Sequence, residues 1–503
     1  MTPPRRQLGL TVTAAIVVAN MIGTGVFTSV GFQAKDLHDP LTILLAWVVG
    51  GGVALCGAAA YAELGSMMPR AGGEYVYLRE AYHPAVGFMS GWVSLTAGFS
   101  APIAAAALFF ARYLGAVFPQ LQAGEPWAVV DLHYVSITIG LQHVVAISLI
   151  IAITSLHTLD TKVGGWVQAL FVAAKVLLIV LFILGGLLVG NGDWSNLGSR
   201  SGGLANVGTT SFAIALMYVS FAYSGWNAAA YIASDVRNPG KTLPRALLLG
   251  TGLVMVLYVL LNLVFLYAVP IPTLAGVPYC PNVGAAALKA LEDAGTCSNN
   301  FKGVYEVGDA AARSLFGSQI GQLVSSVIAL ALVSAVSAMI MAGPRVYSAM
   351  AANRALPRRL ADHNKRGVPV VAVVTQGVLA SAFTLVGNPE VLIRFVGFTL
   401  AIFAGLTVAA VFVLRRKGLR GAYRTFGYPI TPIIFIVTSA WIAYAQIEAH
   451  PFESLIIAVV LAIGAVVYWV ANRGQPTLPN ENDPIDTPEL PVVPTARVVS
   501  DGS

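Results

Sequence analysis

A long apolar segment that is interrupted at its own centre constrains this chain most. Residues 10–33 exceed the roughly 20 apolar residues that a membrane helix needs, yet the sequence Asn-Met-Ile-Gly-Thr-Gly-Val-Phe occupies positions 20–27. A second interruption, Ser-Phe-Ala-Tyr-Ser-Gly-Trp-Asn at 220–227, lies in a later apolar segment. In hydrocarbon, unwound backbone is tolerated only where it is buried in protein or lines a polar cavity. The sequence therefore predicts two broken helices beside an internal site.

The composition indicates a membrane protein. Of the 503 residues, 57% are hydrophobic and 10% are charged, whereas a soluble domain carries about 25% charged residues. The net charge of +6 does not indicate a nucleic-acid partner, because the basic residues lie in loops between apolar runs, where they orient a membrane protein. The first apolar run is too long for the core of a cleavable signal, so we expect it to remain as the first helix.

Apolar runs of spanning length predict twelve transmembrane helices. They cover residues 10–33, 41–63, 84–117, 139–158, 163–190, 206–234, 244–270, 319–350, 369–386, 389–414, 428–449 and 454–472. The distribution of Lys and Arg between the loops predicts that both termini are cytoplasmic. We expect residues 1–9 to form the cytoplasmic N-terminus and residues 474–503, rich in Pro, Asp, Glu and Asn, to form a disordered cytoplasmic tail.

The spacing of the two breaks predicts an internal repeat. Five predicted spans separate the breaks near 22–25 and 221–226, and an odd number of spans inverts the second copy in the membrane. We expect one repeat at 10–190 and another at 206–414, with a long extracellular loop at 271–318. Two further helices lie in 428–472. The expected fold class is thus an all-α multi-pass membrane protein with a five-plus-five inverted repeat and two appended C-terminal helices.

The polarity of unwound backbone predicts what the breaks bind. A half-helix that begins at Thr24 and Gly25 presents N–H groups without intrahelical partners, which attract an anion. Where half-helices end, free carbonyls attract a cation, and the candidates here are Met21 or Ile22 together with 221, 222 and 224. A carboxylate site beside an ammonium site fits an α-amino acid. The alternative is that the glycines are only packing contacts between helices.

Two side chains at the second break have two readings each. Phe221 is either an aromatic gate over the ligand or part of the apolar packing. The amide of Asn227 either reaches the ligand or bonds a neighbouring helix. For Phe221 we expect the gate.

Lys175 lies deep within the fifth predicted span. A charge near the centre of a bilayer costs about 2.5–3.5 kcal/mol or more, so it must face the protein interior. It is either a proton site, because burial can deprotonate a lysine, or a permanent ammonium that braces the first helix in place of a sodium ion. Of the two roles, we prefer the brace.

The remaining chemistry-bearing residues indicate no catalytic machinery. Cys280 and Cys297 share the long loop and would form a disulfide if that loop faces an oxidising compartment. The histidines are scattered, and no metal-spaced cluster, phosphate-binding loop or catalytic triad occurs in the sequence. We therefore expect no metal, no cofactor and no enzyme activity.

Six stretches resemble signatures of the amino acid–polyamine–organocation superfamily. They are NMIGTGVF at 20–27, YAELG at 61–65, PRAGGEY at 69–75, QALFVAAK at 168–175, FAYSGWN at 221–227 and NPGKTLPR at 238–245. The stretch at 221–227 is similar to the sixth-helix motif of the L-type amino acid transporter branch, and the stretch at 238–245 matches the loop that follows it. The resemblance covers roughly residues 8–470.

This resemblance implies an amino acid permease with the inverted-repeat, LeuT-like fold and alternating access. It implies that Thr24 and Gly25 bind the substrate carboxylate and that Phe221 is the gate. Carbonyls of Met21 or Ile22 would accept from the ammonium together with those of the second break, which are Phe221, Ala222 and Ser224. Lys175 would sit where related sodium-coupled carriers hold an ion.

The chain departs from the family's pattern in two respects. Some prokaryotic members have Asp where this chain has Ser224, and the loop 271–318 is longer than usual. Animal members are joined to a heavy chain through an extracellular cysteine between spans 3 and 4. Residues 118–138 contain no cysteine, so we expect no covalent heavy-chain partner.

The functional expectation is a cell-membrane transporter, in a bacterial inner membrane, that exchanges neutral L-amino acids. Neither break contains an acidic residue that would pair with a cationic side chain. Proton-coupled symport that uses Lys175 is the alternative, with protons as additional partners beside the amino acid and the lipid bilayer. A channel or a membrane receptor is a more distant alternative.

Overall fold

The computed structural model shows a largely helical protein. It describes residues 8–69, 72–121, 126–131, 136–159, 162–198, 203–231, 233, 236–276, 303–353, 355–364, 366–386 and 388–472. Cys280, Cys297 and the predicted tail at 474–503 lie outside these ranges, so the disulfide stays a prediction.

The helices follow one another along the chain in the order of the predicted spans. Those of the first half are α1 (Leu10–Met21), α2 (Thr24–Leu37), α3 (Pro40–Met67), α4 (Glu74–Ala81), α5 (Pro84–Val93), α6 (Ala101–Val117), α7 (Leu141–Leu159) and α8 (Lys162–Leu188). Those of the second half are α9 (Thr210–Ala222), α10 (Ala228–Tyr231), α11 (Pro239–Ala268), α12 (Ile271–Ala275), α13 (Val307–Phe316), α14 (Ser318–Ala352), α15 (Val370–Thr384), α16 (Pro389–Arg416), α17 (Ile430–Ala449) and α18 (Pro451–Asn472).

Helix length and composition make this a multi-pass membrane protein. Within the described residues, nine helical stretches are long and apolar enough to cross a membrane. Three shorter apolar helices, Val172–Leu188, Thr210–Ala222 and Val370–Leu385, coincide with the predicted spans 5, 6 and 9. The count of twelve crossings and the inverted repeat stay predictions.

Local sequence explains where two of the long helices begin. Asp39 caps α3 by accepting a hydrogen bond from the Thr42 amide at 2.9 Å, and Pro40 follows at the first helical position. Asn388 caps α16 in the same way through the Glu390 amide at 2.9 Å, again with a proline next. Side-chain caps satisfy otherwise unpaired amides, and proline fits the first turn because its missing N–H is not needed there.

The third predicted span is helical from Pro84 to Val117, but its helix changes pitch. Residues 94–100 form a wide π-helical stretch between α5 and α6. Pro102 lies two residues into α6. Because proline lacks an N–H and its ring crowds the carbonyl four residues earlier, it interrupts the α-helical ladder at this point.

The connection between α6 and α7 contains two short strands that the sequence analysis did not predict. Strands β1 (Ala128–Asp131) and β2 (Ser136–Ile139) pair there as an antiparallel hairpin, with Ala128 opposite Ile139. The Thr138 amide donates to the carbonyl of Leu385 at 2.9 Å, which ties the hairpin to the end of α15. The strands are only four residues long, too short to stand out in a sequence dominated by apolar helices.

The interrupted helices lie at the centre of the packing. Every residue of α2 except Asp36 is buried, so this helix is surrounded by protein on all sides. By contrast, α17 and α18 are mostly exposed along their apolar length, as expected for helices that face lipid. The breaks are therefore enclosed by protein, the condition under which unwound backbone is tolerated at membrane depth.

One buried ion pair fastens the end of α3 to the end of α16. Glu63 is 1% exposed, and both of its oxygens accept from the Arg415 guanidinium at 2.7 Å. The Thr425 amide donates to the same carboxylate at 2.7 Å. The pair thus joins the ends of two helices and the loop that follows α16.

We expect Arg415→Met to lower the free energy of unfolding by about 3 kcal/mol, because the substitution leaves the Glu63 carboxylate buried without its cation. Thermal unfolding of the purified protein in detergent measures the effect. Arg416→Met is the matched control, since its side chain is exposed. Equal melting temperatures for the two variants would show that the pair contributes nothing.

Candidate functional site

The backbone leaves the helix at both interrupted sequences. Helix α1 ends at Met21, and Ile22 and Gly23 are extended before α2 begins at Thr24. Helix α9 ends at Ala222, and residues 223–227 form a turn before α10. The two breaks therefore contribute four helix ends, each with backbone groups that no helix satisfies.

The two breaks pack directly against each other. A Cβ added at Gly25 would lie 2.5 Å from the Cα of Ala222, across the contact between α2 and α9. A Cβ at Gly225, where φ is +102°, would lie 2.5 Å from the carbonyl oxygen of Asn20. Each break thus places a glycine against the backbone of the other. Glycine is required at both positions, and Gly225 also adopts a φ that other residues rarely take.

Three of the predicted carbonyl acceptors already have donors from the protein. The carbonyl of Met21 accepts from the Tyr258 hydroxyl at 2.6 Å, and that of Ile22 accepts from the Lys175 ammonium at 3.1 Å. The carbonyl of Phe221 accepts from the Ser224 hydroxyl at 2.6 Å. A carbonyl has two lone pairs, so those of Met21 and Ile22 each retain one acceptor site for a ligand. The carbonyl of Phe221 also accepts from the Ser224 amide at 3.0 Å, so both of its lone pairs are in use.

The start of α2 has no side-chain cap. Gly23 occupies the cap position, and because it has no side chain it accepts no hydrogen bond from the first amides of the helix. The hydroxyl of Thr28 donates to the carbonyl of Thr24 at 3.1 Å. This carbonyl belongs to the same peptide group as the Gly25 amide. The amides of Thr24, Gly25 and Val26 are thus the kind of helix N-terminus that binds a carboxylate.

Lys175 is buried at 1% exposure in α8, and its ammonium contacts the first break. Its hydrogen bond joins α8 to the residue at which α1 leaves the helix. The contact agrees with the interior orientation that the cost of burying a charge requires. An ammonium at this point stabilises the carbonyl end of α1, where the helix dipole is negative.

Three aromatic side chains that the sequence analysis did not single out for this role support the breaks from behind. Trp47 of α3, Tyr223 of the turn and Tyr258 of α11 pack with ring centroids 5.2–5.8 Å apart. The Tyr223 hydroxyl donates to the carbonyl of Trp47 at 3.2 Å, and Tyr223 is fully buried. Tyr223 therefore belongs to the packing behind the break. Phe221, the predicted gate, is 7% exposed.

The amide of Asn227 is directed at a buried carboxylate. Its Nδ2 donates to Glu74 Oε1 at 2.9 Å and lies 3.3 Å from the Tyr231 hydroxyl. The Tyr61 hydroxyl donates to the same carboxylate oxygen at 2.6 Å. Of the two readings of Asn227, this contact matches the bond to a neighbouring element. The only sequence signal for Glu74 is its place in the Gly-Gly-Glu-Tyr motif before α4.

A second buried charge cluster lies at the far end of α2 from the break. Arg394 of α16 forms a two-bonded pair with Glu453 at 2.7 and 2.8 Å and also contacts Glu390. Lys35 lies 3.9 Å from Glu390, and the Tyr218 hydroxyl donates to Glu390 at 3.1 Å. Helices α2, α9, α16 and α18 are thereby joined. Sequence alone did not reveal the cluster, because its members are distant along the chain.

A cavity of about 360 Å³ lies beside α10. Its lining includes Gly72, His157, Tyr231, Arg345, His363 and Val373. Tyr231 therefore lines this cavity and, through its hydroxyl, also contacts Asn227 of the second break.

Two broken helices packed reciprocally inside a multi-pass helical protein define a membrane transport protein. The family model described as amino acid permease matches residues 8–471. The chain therefore belongs to the amino acid permease family, and it is a transporter and not an enzyme.

Curated relatives match over nearly the whole chain. The serine/threonine exchanger SteT of Bacillus subtilis is 28% identical over 470 residues, which are 92% of this chain and 96% of that protein. The b(0,+)-type amino acid transporter 1 of Rattus norvegicus is 28% identical over 473 residues, 93% and 88% of the two chains. The human large neutral amino acids transporter small subunit 2 is 26% identical over 472 residues, 93% and 80% of the two chains.

Proposed function

We propose that this permease exchanges neutral L-amino acids across the cell membrane by alternating access. The observation that carries the proposal is the reciprocal packing of the breaks, with Gly25 on Ala222 and Gly225 on Asn20. This packing brings the uncapped start of α2 next to the end of α9. A helix start favours an anion and a helix end favours a cation, so one site offers both.

In the proposed complex, the amides of Thr24 and Gly25 donate to the substrate carboxylate. The site needs no basic side chain for this, because the helix start supplies both the donors and the positive potential. Met21 or Ile22 accepts from the substrate ammonium through a remaining lone pair of its carbonyl. Carbonyls of the second break at Ala222 and Ser224 complete the acceptor set, and that of Phe221 joins them when the Ser224 hydroxyl releases it. The side chain of Phe221 closes over the substrate.

The proposal of a neutral substrate rests on the lack of an acidic side chain within the two breaks, where it would pair with a cationic substrate side chain. Residues 20–27 and 220–227 contain no acidic or basic residue. The buried carboxylate that contacts the second break, Glu74, already accepts from Tyr61 and from Asn227. The names of two relatives, a serine/threonine exchanger and a large neutral amino acids transporter subunit, support the same substrate class.

Exchange is preferred over proton symport because Lys175 already has a structural use. Its ammonium bonds Ile22 at 3.1 Å and thereby holds the end of α1. The relative named an exchanger supports this choice. We further propose the twelve-span, five-plus-five inverted repeat, both termini in the cytoplasm, a bacterial inner membrane as the location, and no covalent heavy-chain partner.

Proteoliposomes that contain the purified full-length protein test the proposal. We expect a radiolabelled neutral amino acid to enter only when the vesicles are preloaded with unlabelled amino acid, and to enter with saturable kinetics. Preloaded and empty vesicles are compared with and without an inward proton gradient. Uptake into empty vesicles driven by outside acid would establish symport in place of exchange. Flux that does not saturate would indicate a channel, and binding without flux would indicate a receptor.

A further inference from the structure

We propose that Glu74 is a proton-binding carboxyl that controls how firmly α10, the half-helix after the second break, is held on the cytoplasmic side. The inference rests on the proposed function, since it concerns the opening of the same site. It assigns a role to a residue that binds neither the carboxylate nor the ammonium of the substrate in the proposed complex.

The geometry makes Glu74 the junction of three elements. It is the first residue of α4 and is 6% exposed. Its Oε1 accepts from the Tyr61 hydroxyl of α3 at 2.6 Å and from the Asn227 amide at 2.9 Å. Asn227 immediately precedes α10, so the carboxylate ties this half-helix to α3 and α4. Any movement of α10 away from α3 must break or reorganise these bonds.

The carboxylate is held by neutral donors. Among the described residues, no Lys, Arg or His nitrogen lies within 4.0 Å of Glu74, in contrast to Glu63, whose cation is Arg415. Burial raises the pKa of the Glu74 carboxyl, while the hydrogen bonds from Tyr61 and Asn227 oppose that rise. A carboxyl in such a place takes up a proton at a higher pH than an exposed glutamate does.

Among the residues that the structure describes, the groups around Glu74 supply no competing charge. Tyrosines face it from three elements, and several further titratable groups in the described part of the chain line the cavity or are paired elsewhere. The tyrosines are Tyr61, Tyr77 and Tyr231, the cavity groups are His157, Arg345 and His363, and the paired group is Arg415. Phenols are neutral at physiological pH. The charge of the cluster is therefore set by Glu74 itself.

The cavity beside α10 gives the proton a route. Gly72 and Tyr231 both line it, and they flank Glu74 on the side of α4 and on the side of α10. The ring of Tyr231 packs on Gly73, where an added Cβ would lie 2.4 Å from the ring. Water that enters the cavity would reach Gly72 and Tyr231, which are neighbours of Glu74. In the proposed orientation this water is cytoplasmic.

Protonation weakens the tether without breaking a covalent bond. A proton from cytoplasmic water binds Glu74 at Oε2, because both hydrogen bonds described above go to Oε1. The carboxyl becomes neutral, and the two charge-assisted hydrogen bonds become neutral ones of about half the strength. As cytoplasmic pH falls through the pKa of Glu74, α10 is held less firmly. The state in which α10 has moved then becomes more populated.

The test varies pH on each side of proteoliposomes separately while amino acid exchange is measured. For the wild-type protein we expect the apparent affinity for the amino acid on the cytoplasmic side to change about fivefold between pH 5.5 and 8. This is roughly the effect of converting one charge-assisted hydrogen bond into a neutral one. Glu74→Gln is expected to hold the acid value at every pH. Glu80→Gln, on the same short helix, is the control and is expected to keep the wild-type profile.

Tyr61→Phe gives a second readout that does not depend on removing the carboxyl. Losing a donor to the carboxylate raises the pKa of Glu74, so the midpoint of the pH profile should move to higher pH. A wild-type profile that is flat on both sides, or one that Glu74→Gln leaves unchanged, would overturn the inference while exchange itself persists. If Glu74→Gln does not fold, an unmoved midpoint in Tyr61→Phe overturns it. Failure of the wild-type protein to exchange any amino acid would instead refute the proposed function.

Discussion

Gly25→Val is expected to abolish amino acid exchange. The added side chain would begin 2.5 Å from the Cα of Ala222, and it would cover the start of α2 where the substrate carboxylate is proposed to bind. The atoms that the new side chain meets belong to Ala222, which has no flexible side chain that could move away. Forced overpacking alone costs about 1–3 kcal/mol. We expect uptake to fall by a factor of about 100 or more, measured as radiolabelled exchange per amount of inserted protein.

Two other glycines of the same protein serve as controls. No atom lies within 4 Å of an added Cβ at Gly52 or at Gly252, so alanine at either position should leave exchange unchanged. Gly225→Ala should behave like Gly25→Val, because it meets the Asn20 carbonyl and adopts a φ of +102°. Normal exchange by Gly25→Val would refute both the close approach of the breaks and the carboxylate site.

Lys175→Met is expected to reduce exchange at least tenfold, the second-largest effect. Methionine retains an apolar stem of similar length but cannot donate to the carbonyl of Ile22, which would be left without its 3.1 Å partner. An unsatisfied buried acceptor costs about 1–3 kcal/mol. We expect the loss to appear in the rate of exchange. Leu177→Ala is the control on the same helix, since its side chain is 57% exposed on the outer face.

Arginine at position 175 separates the two readings of this lysine. A guanidinium stays protonated in proteins, so it can brace the break but cannot pass a proton. Partial exchange by Lys175→Arg, with no response to a proton gradient, is the result expected for a brace. If wild-type uptake into empty vesicles is driven by acid and every Lys175 variant loses that drive, the lysine is a proton carrier and the brace is the wrong reading.

Most of the helical architecture could be predicted because its signals are local. Apolar length indicated where helices lie, and Gly-Thr-Gly and Ser-Gly-Trp indicated where two of them break. The hairpin at β1 and β2 was missed, because strands of four residues give no periodicity that stands out beside apolar helices. Its anchor is the contact from Thr138 to Leu385, a pairing between residues far apart in the chain.

The candidate site was predicted as a set of positions without their neighbours. The sequence indicated Met21, Ile22 and Lys175, but it did not indicate that Lys175 would bond Ile22 or that Tyr258 would bond Met21. Nor did it indicate that Asn227 would meet Glu74. A hydrogen-bond partner more than a few turns away leaves no trace in the local pattern of polar and apolar residues.

The sequence by itself determined that this chain is embedded in a membrane and that two of its helices are broken. The reason is that a helix must be long and apolar to cross hydrocarbon, and that every backbone polar group there needs a hydrogen-bond partner. Only the tertiary structure decided which partners those groups have. In the structure, Gly25 packs on Ala222 and Gly225 packs on Asn20, and Lys175 donates a hydrogen bond to Ile22 at the first break. The physical reason is that close backbone contacts and single hydrogen bonds depend on the relative placement of whole helices, which many distant residues set together.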